Sequence, residues 1–331
     1  MPSLENKVNI IGGGIVGCIQ AIELKISGYE VSIYEKKTIG SGSTWAGGGI
    51  IFPLLPHDYR AEVNILFKEV NHYYKGLSEI IKKLFDYDIE LIRNGMFVDV
   101  PDLQQLEEWL ESNNYKYIAS HRFGMNGILI DDVYQIRPPR LIQGIRKYLK
   151  YLGINIFENE NIEEKNINNA RKFFSNGKEI PGDSFIITAG AWSAQLTKKL
   201  EGKIFPVRGQ MLQYEKSKLL LENIIYKDGT YVLQRKDGVI VAGSTLENVG
   251  FNDELSLDDY ETLKNRVEKI IPQLSKIKIQ KHWCGFRPGS ELNIPIILKD
   301  SQQGNIFYNC GHFRYGVSMA PASAKKVISL I

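Results

Sequence analysis

Cysteine is scarce in this chain. Cys18, Cys284 and Cys310 are the three present in 331 residues. They show no paired spacing, so neither a disulfide framework nor a zinc knuckle is expected, and a reducing, cytoplasmic setting fits. The five histidines, His57, His72, His121, His282 and His312, form no i, i+4 pair and no ligand cluster, so no metal site is expected. No run of 18 apolar residues occurs, which argues against a membrane span, and the first strand begins too close to Met1 for a signal peptide. An excess of one charge is also missing. The formal net charge is +3 and the lysines alternate with acids, which gives no reason to expect nucleic acid or an acidic membrane as partner. Runs such as Glu163-Glu164-Lys165 read as solvated surface. Internal repeats and low-complexity tracts are absent.

What is present is enough apolar material, 43% of the residues, to bury a sizeable core, and a length that suggests two domains. The most informative stretch is residues 8–36. A β-branched run, Val8 to Ile11, precedes Gly12, Gly14 and Gly17 in G-x-G-x-x-G spacing. Ile19, Ile22 and Ile26 then recur at helical intervals, Gly28 closes the helix, and Val31 to Tyr34 alternates as a second strand ending at Glu35. Strand, glycine turn, helix, strand and acid in this order predict a dinucleotide site. Gly12 makes the turn, Gly14 admits the pyrophosphate, Gly17 lets helix and strand pack closely, and Glu35 accepts from ribose hydroxyls. The glycine-rich residues 40–49 suit a close wrap around a large flat ligand, with Ser43 and Thr44 offering hydroxyls.

Further along, residues 59–85 read as one long amphipathic helix and residues 89–100 as strands turning at Asn94-Gly95. Residues 102–113 read as a surface helix. A helix near 140–151 and a strand at 153–157 follow, and residues 184–193 read as a buried strand with a helix from about Ala194. Between Phe205 and Gly243 the pattern is short strands with turns at Asp228-Gly229 and Asp237-Gly238, which indicates an antiparallel sheet; a helix near 256–271 follows. A strand at 305–309 and a closing helix suggest that the nucleotide-binding unit returns at the C-terminus.

The motifs I-I-G-G-G-I-V-G, S-T-W-A-G-G-G, I-T-A-G-A-W-S, P-V-R-G-Q, V-A-G-S-T, W-C-G-F-R-P-G and G-H-F-R-Y-G-V-S-M-A-P-A run in order from residue 8 to 322. Together they resemble the D-amino-acid oxidase family of flavoproteins, and within it the bacterial members that oxidise glycine. The resemblance implies an α/β fold. A discontinuous Rossmann-like FAD-binding domain (1–85, 141–204 and 282–331) would be joined to a substrate domain with a mostly antiparallel β-sheet (86–140 and 205–281). It implies non-covalent FAD held by Gly12, Gly14, Ile15, Val16, Gly17, Glu35, Lys36, Ser43, Thr44, Gly48, Gly49 and Ile50, by the backbone of Ile162, and by His312, Phe313, Arg314, Tyr315, Gly316, Val317 and Ser318. Arg287 matches the arginine that clamps the substrate carboxylate, a task suited to a planar guanidinium. Tyr231 and Arg314 match residues beside it, and Ile50 and Leu246 stand at the pocket wall where methionines can occur.

The implied reaction is oxidative deamination of glycine or another small amino acid to an imine and then a 2-oxo acid. Dioxygen is the expected acceptor, giving hydrogen peroxide, and the imine is expected to feed assembly of the thiamine thiazole ring. Two alternatives stay open. One is a D-amino-acid or sarcosine-like dehydrogenase with another acceptor; the other is a flavin-dependent tRNA-modification module, which the near-neutral charge disfavours. Association into a homo-oligomer is also left open.

Overall fold

The structure is a computed structural model that describes residues 7–168 and 170–331, without the side chain of His57. Two large sheets organise it. The first has six strands in the order Ile296–Lys299, Ile306–Cys310, Ser184–Ile187, Lys7–Ile11, Glu30–Glu35, Asn155–Glu158. All its pairs are parallel except the antiparallel edge formed by Ile296–Lys299 on Ile306–Cys310. Val8, Ile10, Ile33, Ile186 and Phe307 are almost fully buried, as expected for parallel strands covered on both faces. The helices Ile15–Ile26 and Gly316–Ile328 pack against one another beside this sheet.

The first helix follows the glycine turn as the sequence suggests. Gly12 has φ +112°, and a Cβ there would come within 2.6 Å of the Thr188 carbonyl oxygen. A Cβ on Gly17 would strike the Gly12 carbonyl oxygen, so this glycine serves close packing of helix on turn. Ile26, counted among the apolar helix positions, lies on the solvent face at 63% exposure.

The second large sheet has eight strands: Ile279–Ser290, Ile204–Tyr214, Ile240–Gly243, Thr230–Gln234, Ile224–Lys227, Met96–Asp99, Met125–Ile130 and Tyr117–Arg122. Its pairs are antiparallel apart from Ile224–Lys227 on Met96–Asp99. The helix Leu257–Ile270 covers one face through Leu263, Val267 and Ile270.

Several local expectations need correction. The strand over 279–290 pairs along its whole length with Ile204–Tyr214, so residues 282–290 join the antiparallel sheet instead of the FAD-binding unit. Its partner is one eleven-residue strand, not a series of short ones. The helix expected over 59–85 is broken into Ala61–Asn64, a short 3-10 turn Ile65–Phe67, and Val70–Phe85, because Glu69 adopts a left-handed conformation at φ 61°. The helix after Ala194 is a single turn, Ser193–Leu196. Residues 92–93 and 96–99 belong to two different sheets. Glu164, assigned to solvated surface, is largely buried and pairs with Arg171 at 3.1 Å. Among the described residues no helix is long and apolar enough to cross a membrane.

Candidate active site

A cleft of about 670 Å³ runs from the C-terminal ends of the parallel strands to one face of the eight-stranded sheet. At one end it is lined by Gly12, Gly14, Ile15, Val16, Glu35, Lys36 and Ile162, and at the other by Tyr231, Arg287 and Arg314. Ser43, Thr44, Gly48, Gly49, Ile50, His312, Phe313, Tyr315, Gly316 and Val317 also line it. Three expected residues do not. Gly17 packs beneath the turn, Ser318 is buried with its hydroxyl donating to the Ile50 carbonyl at 3.4 Å, and Leu246 stands 50% exposed on the loop after Ile240–Gly243.

The nucleotide end is built from backbone. The helix Ile15–Ile26 has Gly14 as its N-cap, which brings no capping side chain of its own, so the remaining amide groups of the first turn and the positive end of the helix dipole face the cleft. The Thr44 hydroxyl accepts the Ile15 amide at 3.0 Å, and the Ser43 hydroxyl donates to the Phe286 carbonyl. Both hydroxyls therefore tie the glycine-rich segment to its neighbours. Glu35 has a part in holding the turn as well, accepting from the Gly13 amide at 2.7 Å and the Lys37 amide at 2.9 Å.

The opposite end is a row of side chains on one sheet face. Residues 209 and 211 on one strand, and 285 and 287 on its neighbour, share that face by the period-2 rule. Met211 and Tyr231 both lie opposite Gly243. Glycine keeps this surface thin. A Cβ on Gly209 would strike the Arg287 guanidinium, and one on Gly48 would strike the Tyr231 hydroxyl. That hydroxyl is 3.2 Å from the Met211 sulfur, and burial raises its pKa despite the nearby Arg287, Arg235 and Arg314.

Arg287 donates through Nη1 to the carbonyls of Arg208 at 3.3 Å and Thr245 at 3.2 Å, and through Nη2 to the Ser244 hydroxyl at 2.6 Å. All three acceptors are neutral. A guanidinium carries five N–H donors, so the Nε–H and one Nη2–H are left over. Burial, then the neighbouring Arg314, lowers the Arg287 pKa to about 10, so it stays cationic at neutral pH. Arg314 has a buried Nε with no hydrogen-bond partner in the structure and lies over the Phe313 ring at 5.5 Å. His312 is 1% exposed with its Nε2 unpartnered, and burial pulls its pKa down to about 3, so its ring is neutral.

These features fit FAD. The cleft offers amides at one helix N-terminus, a second helix N-terminus at Gly316, glycines whose bare surface admits a flat ring, and two buried nitrogen atoms awaiting partners. Glu35 is the one acid among the lining residues and lies at the nucleotide end, which leaves the substrate end positively charged.

Sequence reasoning did not single out Trp192, Met211, Ser244 or Phe286, all of which line the cleft. Trp192 and Phe286 lie inside motifs that were noted for other residues, whereas Met211 carries no local signal. Arg235 was missed too. It is 6% exposed and donates to the Gly48 carbonyl at 2.7 Å, the Gln135 amide oxygen at 2.9 Å and the Ile136 carbonyl at 3.2 Å. Burial, then Arg137, lowers its pKa to about 10.

A parallel nucleotide-binding sheet joined through one cleft to an antiparallel sheet that presents an unpaired arginine defines a flavoprotein oxidoreductase. Residues 7–330 match the FAD dependent oxidoreductase family (DAO), and the chain belongs to that family. The glycine oxidase of Pseudomonas aeruginosa is 29% identical, the match covering 99% of this chain and 95% of that protein. The bifunctional protein ThiO/ThiG of Synechocystis is 23% identical over 98% of this chain and 51% of its own length. The solved glycine oxidase of Bacillus cereus has a TM-score of 0.88 at 20% identity, covering 98% of this chain and 94% of that one.

Proposed function

We propose that this FAD-dependent enzyme oxidises glycine or another small amino acid to the imine, which hydrolyses to a 2-oxo acid and ammonia. The observation that carries the reading is Arg287, a cationic guanidinium on the cleft wall with neutral partners and two donors to spare. A substrate carboxylate supplies the missing acceptors with two parallel bonds. Tyr231 adds its hydroxyl beside this anchor, and Arg314 adds a second positive charge.

When bound without a covalent link, FAD supplies the acceptor for the hydride of the amine Cα–H. The chain's own contribution is positioning: Arg287 anchors the carboxylate, and Met211 and Tyr231 wall the cleft beside it. Correct placement alone contributes roughly 7–11 kcal/mol in favourable cases. No side chain on this face is needed as an obligatory base, since the neutral amine form is the reactive species. Dioxygen is the proposed electron acceptor, giving hydrogen peroxide. The proposed use of the imine is thiamine thiazole assembly, in a cytoplasmic setting suited to three unpaired cysteines.

The test compares oxygen uptake with dye reduction for glycine, sarcosine and D-alanine. Rapid oxygen uptake with glycine supports the oxidase. Dye reduction without oxygen uptake would replace it with the dehydrogenase reading, and turnover of none of the three would overturn amino-acid oxidation.

A further inference from the structure

Behind Arg287 lies a polar cluster that the reaction as described does not use. Arg208 is 6% exposed. Its Nε donates to Glu247 Oε2 at 2.6 Å, and its Nη1 donates to the carbonyls of Asn252 at 3.1 Å and Glu254 at 2.7 Å. The two residues also pair through their backbones, Arg208 N–H to Glu247 C=O at 2.9 Å and Glu247 N–H to Arg208 C=O at 3.0 Å. The other Glu247 oxygen accepts from the Gln210 side-chain amide at 2.9 Å, and the Gln210 backbone N–H donates to the Thr245 hydroxyl at 2.8 Å.

The location gives this cluster a consequence for the site. The acceptors that orient Arg287 are the Arg208 carbonyl, the Thr245 carbonyl and the Ser244 hydroxyl. Two of them sit at the start of a loop that leaves the sheet after Gly243 and forms no regular structure until the helix at Leu257. Such a loop has no strand ladder to fix its carbonyls. The Arg208–Glu247 pair substitutes for one, with a side-chain bridge laid over a single backbone bridge. A buried ion pair is a poor source of net stability, since an apolar pair of similar volume serves as well or better; its better-attested use is to specify one arrangement.

We propose that the Arg208–Glu247 pair is a positioning device for the substrate carboxylate anchor: it fixes the Ser244–Thr245 carbonyl and hydroxyl so that the free edge of Arg287 faces the cleft. The inference rests on Arg287 being that anchor. Glu247 and Arg208 line no part of the cleft, so they act through Arg287 and not on the substrate or the cofactor.

The test uses the FAD-loaded protein with two substitutions, Glu247→Ala and Glu247→Gln, titrated with glycolate while the flavin spectrum is followed, and assayed with glycine. In Glu247→Ala the glycolate Kd and the glycine KM rise together by about tenfold, while kcat falls by less than about threefold and FAD content is unchanged. Glu247→Gln keeps the size and one acceptor, and shifts both constants in the same direction by about threefold. Should the alanine variant fail to fold, the glutamine variant decides. Glycolate affinity within error of wild type in a folded Glu247→Gln protein overturns the proposal, as does a fall in kcat at unchanged KM, or loss of FAD. Failure of the wild-type protein itself to bind glycolate overturns the anchor reading instead, and is recognised before any variant is made.

Discussion

Arg287 decides most at the scale of single residues. Truncation to Ala leaves a substrate carboxylate in the cleft without its charge-assisted partner, at a cost of about 2–5 kcal/mol. Apparent affinity for glycine and glycolate is expected to collapse while the protein stays yellow and folded, because Arg287 is assigned to substrate and not to FAD. Arg287→Lys keeps the charge but loses the fork, and is expected to recover part of the affinity. Spectral titration checks both, and near wild-type glycine turnover in the alanine variant would contradict the anchor. Gly209→Ala tests the same geometry from beneath. The new methyl group has to displace the guanidinium, so glycolate binding is expected to weaken with FAD retained, and unchanged binding would show that the guanidinium can move at no cost.

Much of this residue-scale picture was legible beforehand: Arg287 and Arg314 lie in motifs, Tyr231 was placed by the family resemblance, and all three line the cleft. Leu246 was not. It follows a motif residue in sequence, yet the chain has already left the sheet there and the side chain points to solvent. Met211 and Arg235 were missed for a different reason: their placement comes from strand register and a hairpin reaching across to Gly48, and neither is a local property of the sequence.

At the scale of elements, the glycine turn and its helix carry the nucleotide end. Glu35 anchors one backbone amide of that turn, Gly13, and one just beyond its own strand, Lys37, and also faces the cleft. Glu35→Ala therefore removes charged hydrogen bonds of about 1.5–3 kcal/mol each and loosens the loop they shape. The FAD Kd is expected to rise by at least tenfold, measured by equilibrium dialysis; unchanged FAD affinity would remove Glu35 from the site.

A second element-scale prediction concerns the three-stranded sheet that begins at Ile162. Arg171 joins it to the parallel sheet by pairing with Asp300 at 2.5 Å and donating to the Tyr308 hydroxyl at 2.9 Å, and Tyr308 donates to Asp300 at 2.8 Å. Burial pushes the Asp300 carboxyl up. The amides of Gln302 and Gln303, the Tyr308 hydroxyl and Arg171 outweigh it and hold the pKa at about 2, below the ordinary 3.8. A depressed folded-state pKa stabilises at pH values above the unfolded one, so the contribution, about 2 kcal/mol, is complete above pH ~4 and is lost as pH falls toward 2. Urea unfolding of wild type and Asp300→Asn is expected to differ at pH 6 and to converge as pH drops below 4. A gap of constant size across that range would contradict the assignment.

At the scale of the molecule, the division into a parallel nucleotide-binding sheet and an antiparallel sheet followed from patterns with a clear period: the alternation of strands and the turn dipeptides. What the patterns did not convey was where one sheet hands over to the other. The strand over 279–290 stands just ahead of the C-terminal return of the nucleotide-binding unit in the sequence, but its hydrogen bonds go to Ile204–Tyr214. Sheet membership is decided by pairing across some 75 residues of chain, and loop closure over such distances leaves no mark on either segment. The same long pairing brings Gly209 under Arg287 and the Arg287 fork to the cleft wall, so the site depends on the one feature of the fold that local reading assigned to the other domain.

The central claim is that this cleft binds FAD and presents a small amino acid to it. The most direct measurement is the visible absorption spectrum of the purified yellow protein during anaerobic addition of glycine. The account predicts bleaching of the oxidised flavin bands as glycine is added, and return of the bands when air is admitted. A spectrum that stays oxidised with glycine, sarcosine and D-alanine alike would contradict it.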